Sequence, residues 1–366
     1  MKKLINPISN KFIRSTFICS MKYFSVLLFM AIGWSACKND AALPDVSAYP
    51  ASTKVTRFDQ AFFRIDTNNI AAGLQLLQTK YPEFLGDYLT KIVGINPANP
   101  EAVAAIAPFI RSYKTVYDTA QIVAEKTIPA LEKNMQKALQ YLQYYVPGWK
   151  PEKPFEILFF IGPMDAYEPF PLGDYGDVRT AKGVGVALQL HLGAAASVYE
   201  DGRMAGLFYD YQTRRFTPDM MVVNAMKNVI SDLYPYQDES LVLVENMIEK
   251  GKRMVLLEKV LPTTADSLLL GYTDHQLKGC EANEALIWNF FVKNDLLYSK
   301  DPQMNQNYIK DGPKTAELGE GAPGYIGLFL GRQIVRAYLD KYPKTTFPDL
   351  MKMPARQVLE DAGYKP

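Results

Sequence analysis

Residues 216–292 read FTPDMMVVNAMKNVISDLYPYQDESLVLVENMIEKGKRMVLLEKVLPTTADSLLLGYTDHQLKGCEANEALIWNFFV. Apolar residues recur at three- and four-residue spacing, which predicts three helices, at Pro218–Ser231, Ser240–Val260 and Thr273–Phe291. Met221, Ala225, Asn228 and Val229 fall near one face of the first, and Val244, Met247, Gly251 and Val255 form a stripe on the second. Thr273 with Gln276 has the spacing of a capping box, and Pro262 stops the helix before it. Helices joined by short connections pack on one another. Any polar cluster inside this block would draw on Asn224, Asn228, Glu245, Glu249, His275, Glu281 and Glu284.

Outward from this block the pattern changes twice. Toward the C-terminus, Met304–Lys310, Gly324–Lys341 and a run at 347–361 read as helices. Gly327 and Gly331, four residues apart, allow another helix to come close. Arg332 and Arg336 lie one turn apart and face either buried carboxylates or solvent. Toward the N-terminus, FEILFFI at 155–161 reads as a strand, and Thr180–Leu192 alternates as a second. MAGLFY at 204–209 is a third candidate, unless YDYQTRRF is helical. His191 lies in the alternating segment and could sit on either face. Further upstream, helices are expected at Asn68–Tyr81, Pro82–Ile92, Glu101–Val116 and Asp118–Tyr145, the last kinked or split at Pro129. Phe58, Phe62 and Phe63 pin the start of the fold to its core. The fold class is α+β: mostly helical, with a small antiparallel sheet around residues 155–210, in one domain spanning 55–366.

The N-terminus is of another kind. MKYFSVLLFMAIGWSAC at 21–37 has one lysine, a short apolar run and small residues before Cys37, which is the layout of a secretory signal. A cysteine at that point suggests a bacterial lipoprotein, cleaved before Cys37 and lipidated on it. Residues 1–20 read as an over-extended start, and residues 37–54 as the lipidated cysteine and a polar tether. The whole chain of 366 residues carries 40 basic and 39 acidic residues. Without residues 1–36 there are 35 basic against 39 acidic, a charge of −4, which gives no footprint for nucleic acid. Cys280 would remain as the one thiol beyond Cys37, so no disulfide framework is possible.

Chemistry-bearing motifs are absent. There is no HExxH, CxxC, calcium loop, Walker loop, nucleophile elbow or dinucleotide fingerprint, and His191 and His275 are the only histidines. The residue reading therefore assigns no cofactor and no metal. Glu245, Glu249 and Glu284 are the carboxylates best suited to general acid–base work, but glutamates at helical spacing more often form solvated or structural pairs. Trp288, Phe290 and Phe291 read as core.

The blocks NEALIWNFFVKNDLLYS (283–299) and GYIGLFLGRQIVRAYLDK (324–341) resemble the gliding motility lipoprotein GldB family of the Bacteroidota. VTRFDQAFF, KYPEFLGDYL, GVGVALQLHLG, MIEKGK, LGYTDHQLKGCEANE and the terminal YKP match in the same order. The resemblance implies an envelope lipoprotein, anchored in the inner or outer membrane with its domain periplasmic or on the surface. It would be a component or accessory of gliding and type IX secretion machinery, partnered by other envelope proteins and by the bilayer through the Cys37 lipid. Gln189 and His191 depart from the acidic and aromatic residues more usual in the family. The helical half is also distantly similar to zincin-like metallopeptidases. Here Asn224–Ala225–Met226–Lys227–Asn228 occupies the metal-motif position, and Glu245 or Glu249 stands where a downstream ligand would be. That similarity implies a degenerate zincin-like scaffold, since two amides are poor zinc ligands. The reading is a non-enzymatic component acting through protein contacts. Two alternatives remain. One is a divergent peptidase or peptidoglycan hydrolase, whose cleft brings Glu245, Glu249 or Glu284 to His275 or Asn228. The other is a ligand-binding lipoprotein of an uptake system, with a sizeable pocket.

Overall fold

The computed structural model describes residues 43–164, 176–200, 206–235 and 241–366. The signal segment, Cys37, most of the proline-rich loop after the first predicted strand, 204–205 and Ser240 lie outside these. Val46–Pro366 is one unit by its internal packing.

Phe155–Phe160 (β2) is apolar apart from the half-buried Glu156, because both of its faces are covered. It lies between two parallel neighbours, Thr53–Arg57 (β1) and Gly183–Ala187 (β4), with Ile157 opposite both Val55 and Val184. Val178–Thr180 (β3) pairs antiparallel with β4, giving the order β1-β2-β4-β3. The expected antiparallel sheet is therefore corrected to a mixed one. Parallel strands need a long crossover, and β1 at Thr53–Arg57 spans the boundary between the expected tether and the expected start of the domain. Packing begins at Val46, which is fully buried, and Tyr49 meets the Tyr144 ring edge-on at 5.8 Å. The second predicted strand is shorter than expected: after Ala187 the chain turns into a single 3₁₀ turn at Leu188–Leu190. Of the third, residues 206–209 form a turn leading to a short helix at Asp210–Thr213.

β4 contains two glycines because its neighbours come too close for a side chain. A methyl group on Gly183 would overlap the backbone of Glu156, and one on Gly185 would lie 2.7 Å from Val178 Cγ2.

The helices include Phe58–Phe63 (α1), Ile70–Lys80 (α2), Lys114–Tyr145 (α3), Met220–Leu233 (α4), Leu243–Val260 (α5), Asp266–Leu270 (α6), Asp274–Ala282 (α7), Glu284–Lys293 (α8), Pro302–Ile309 (α9), Ile326–Lys341 (α10), Phe347–Lys352 (α11) and Ala355–Ala362 (α12); further helical segments at Leu85–Asp87, Tyr88–Ile92, Pro100–Ala104 and Ile106–Ser112 join α2 to α3. α3 passes through Pro129 unbroken; the proline sits on its exposed side. It also protects the free edge of β1. Glu132 Oε1 accepts from the Val55 N–H at 3.1 Å, and Gln136 Nε2 donates to the Ala51 carbonyl at 2.8 Å. Phe58 and Phe62 are fully buried among Tyr81, Phe84 and Tyr88, while Phe63 stacks on Tyr117 at 4.8 Å.

The helix expected at Thr273–Phe291 is two helices. Asn283 Nδ2 donates to the Gly279 carbonyl at 2.8 Å, a local bond that competes with helix continuation. Its cap is as expected: the Gln276 N–H donates to Thr273 Oγ1 at 3.1 Å, and the Thr273 N–H to Gln276 Oε1 at 3.0 Å. The helix expected at 347–361 is likewise divided, at Pro354.

α5 and α10 cross at glycines. A methyl group on Gly331 would overlap the Met247 carbonyl, and one on Gly251 would overlap Gly331 itself. Neither helix can carry a side chain there, so their backbones touch.

Candidate functional site

The end of β4 is where buried polar groups gather. Asp177, just before β3, is fully buried and accepts from the Ala187 N–H at 2.8 Å. His191, also buried, places Nε2 3.1 Å from Asp177 Oδ2 and Nδ1 3.1 Å from the Thr217 carbonyl. A carbonyl accepts only, so Nδ1 carries a proton, and an ionised Asp177 requires one on Nε2 as well. The ring is then an imidazolium with both nitrogens engaged. Burial, the largest single effect, pushes the His191 pKa down. The Asp177 charge, its hydrogen bond and the Thr217 carbonyl outweigh it, leaving the pKa above the ordinary histidine value. Such a ring has no lone pair with which to take a substrate proton or bind a metal.

The surrounding bonds make the same knot tighter. Gln189 Oε1 accepts from the Gly162 N–H at 3.0 Å, and Tyr199 Oη donates to the Gln189 carbonyl at 2.8 Å while accepting from the Leu192 N–H at 3.2 Å. Asn228, on α4, donates to the Asp177 carbonyl at 3.4 Å. Asn224, one turn earlier, is buried, and its Oδ1 has no hydrogen-bond partner among the described residues. Both amides thus face inward where α4 meets the sheet.

The three candidate glutamates go to three different places. Glu245 accepts from the Val242 N–H at 3.2 Å, satisfying a free donor at the start of α5. Glu249 pairs with Lys252 at 2.6 Å and Arg253 at 3.0 Å. The Lys252 side chain is fully enclosed and also donates to the Met353 carbonyl at 2.6 Å, holding the segment between α11 and α12. Burial lowers the Lys252 pKa, with Glu249 opposing and Arg253 adding to the shift. Glu284 accepts from Gln333 Nε2 and from Tyr364 Oη, each at 2.6 Å. His275 and Glu281 are exposed on α7. Trp288 is half-buried, edge-on to Tyr364 at 5.1 Å, and Phe291 is fully buried.

A second charged cluster joins α5, α6 and α10. Arg332 is fully buried and donates from Nε to Glu258 and from Nη2 to Asp266. Arg336, one turn on, donates to Glu258 Oε2 at 2.8 Å and to Asp266 Oδ2 at 3.1 Å. The arginines therefore face carboxylates, that of Glu258 mostly covered and that of Asp266 40% exposed. Glu258 and Asp266 are the functional-looking acids that the sequence reading passed over. Asp177 was missed in the same way, because nothing local marks a carboxylate whose partner comes from another element.

Among the described residues no group of three or more histidines, cysteines and acids is placed to hold a metal ion, and no helix is long and apolar enough to cross a membrane. The Cys280 thiol is buried and pushed up to about 12 by desolvation and Glu281, which keeps it protonated and unreactive. An open groove of about 330 Å³ lies between α1 and α2, with Ile65, Leu76 and Leu77 on its walls and Arg64 and Lys80 at its rim.

Neither the curated proteins nor the solved structures contain a match to the chain, so the zincin likeness gains no structural counterpart. The family comparison is positive: residues 39–366, almost the whole length, match the model described as gliding motility protein GldB, and the chain belongs to that family of gliding motility lipoproteins.

Proposed function

We propose that this protein is a lipid-anchored envelope component that works by contact with other envelope proteins, without catalysing a reaction. The observation that carries this is the use of its chemistry-bearing side chains. Glu245 caps a helix, Glu249 pairs with Lys252 and Arg253 on its own helix, Glu284 holds Gln333 and Tyr364 from distant segments, and both nitrogens of His191 are bonded. Groups committed in this way are positioned for rigidity rather than turnover. Anchorage would come from a lipid on Cys37, and the partners from the gliding or type IX secretion apparatus that the family serves. The scaffold is read as zincin-like with its metal motif replaced, on the strength of Asn224 and Asn228 lying one turn apart on the helix packed against the sheet.

The test is crosslinking in intact cells, followed by purification of the lipidated chain and mass spectrometry. Recovery of the same gliding or secretion components in repeated pull-downs is the expected result. A chain without partners, whose envelope phenotype is lost on Glu245→Gln with Glu249→Gln while its unfolding midpoint is kept, would replace this reading with the hydrolase.

A further inference from the structure

One face of α3 carries three lysines, with an exposed acid, Glu125, beside its Ile122 end. Ile122, Lys126, Lys133, Lys137 and Tyr144 follow one another at spacings of four and seven residues, which sets them in a single stripe along the helix. All five are exposed, Ile122 by 58% and Tyr144 by 38%. Among the described residues no carboxylate forms an ion pair with Lys126, Lys133 or Lys137. Of the nearby acids, Glu132 lies off the stripe and is turned toward the Val55 N–H, Asp118 pairs with Lys114 at 2.5 Å, and Glu125 is exposed beside Ile122, away from Lys133 and Lys137. From Ile122 to Tyr144 the stripe is about 33 Å long.

The place where the chain enters the fold lies at one end of this stripe. Tyr49 packs on Tyr144, and Gln136, beside Lys137, holds the Ala51 carbonyl. From Cys37 to Val46, the first packed residue of the unit, is nine residues, a reach of about 30 Å at most. A lipid on Cys37 would keep that end of the helix close to the bilayer. A single acyl attachment holds a protein more firmly when a basic patch adds to it.

We propose that this stripe is a membrane-contact surface that takes anionic lipid headgroups. The proposal rests on the lipid-anchor reading for its proximity to the bilayer and on the α3 side chains for its chemistry. The lysines meet the headgroup charge, each favouring the surface about fivefold. Tyr144 lies at headgroup level, where a ring with a polar tip is favoured. Ile122 marks the far end. The domain would then lie with α3 along the membrane and its other faces open to partner proteins.

The experiment uses the lipidated full chain reconstituted in vesicles of phosphatidylcholine alone or mixed with phosphatidylglycerol. Exposed lysines are modified with a water-soluble amine reagent and read by mass spectrometry. Lys126, Lys133 and Lys137 should lose reactivity at least fivefold on the anionic vesicles, while Lys278 and Lys365 stay unchanged. Equal reactivity on both vesicles would overturn the surface. So would protection seen only in native envelopes, which would assign the stripe to a protein partner. The combined Lys126→Glu, Lys133→Glu and Lys137→Glu variant should lose the salt-sensitive part of its vesicle binding; unchanged binding would also count against the surface. The mass of the mature N-terminus tests the anchor separately. Protected lysines on a chain without acylated Cys37 would uphold the surface and remove the anchor. Acylated Cys37 with unprotected lysines would do the reverse.

Discussion

Two of the charge systems that hold this molecule together are built differently. At the end of the sheet, one imidazolium and one carboxylate are tied to backbone groups: Ala187 to Asp177, Thr217 to His191. Between the helices, two guanidiniums and two carboxylates are tied to one another across α5, α6 and α10. The first system loses its charge as pH rises through the raised His191 pKa, and the guanidiniums of the second stay charged. The first fixes loops to a sheet; the second sits beside a crossing so close that glycine is required on both helices. The same family of interactions therefore gives one region a pH-dependent lock and the other a permanent one.

The comparison breaks most severely at Arg332. Arg332→Ala empties a fully buried site and leaves Glu258 and the 40% exposed Asp266 sharing only Arg336; lost hydrogen bonds to charged groups and the cavity together cost about 3–5 kcal/mol. Chemical denaturation should show that loss at pH 6 and at pH 8 alike. Next is Gly331→Ala, which should cost about 3 kcal/mol. Its methyl group meets backbone that cannot rotate away, and the upper end of overpacking penalties applies. A loss under 1 kcal/mol would mean that α5 and α10 can part more easily than their contact implies.

The sheet system should respond less and should respond to pH. His191→Gln keeps a donor toward one partner and loses the charge, for an expected cost of about 2 kcal/mol at pH 6. The sign for the native chain follows from the raised His191 pKa. Its stabilisation is present in full below the unfolded value of about 6.5 and fades as pH rises through the folded value. Denaturation midpoints should therefore fall as pH is raised from about 6.5, and His191→Gln should flatten that slope. A slope unchanged by the substitution would show that the imidazolium is not its source. The smallest effect belongs to the cap: Thr273→Ala should cost about 1 kcal/mol, independent of pH across this range.

Legibility in the sequence followed how far apart the interacting residues lie. The Thr273–Gln276 box is readable because both partners are within one turn, and Leu243–Val260 because its apolar stripe repeats locally. The glycines at 327 and 331 announced a close approach, but not that Gly251 would meet Gly331 while Gly327 lies against the Tyr308 carbonyl. Strand direction was misread because the partner of Phe155–Phe160 begins at Thr53, on the far side of α3. Asn283 breaks a helix that periodicity alone would continue, since an amide side chain can take a backbone carbonyl without disturbing the apolar spacing.

The sequence by itself determined the lipoprotein-like start as an expectation, the helical class, most helix positions and the family, since periodicity, caps and ordered blocks are all local or linear. Only the tertiary structure decided that the sheet is mixed, that Asp177 holds His191, that Glu258 and Asp266 hold Arg332, and that the three candidate glutamates serve three separate contacts. A charge finds its partner by which elements meet in space, and that is set by the packing of the whole core rather than by any stretch of the chain.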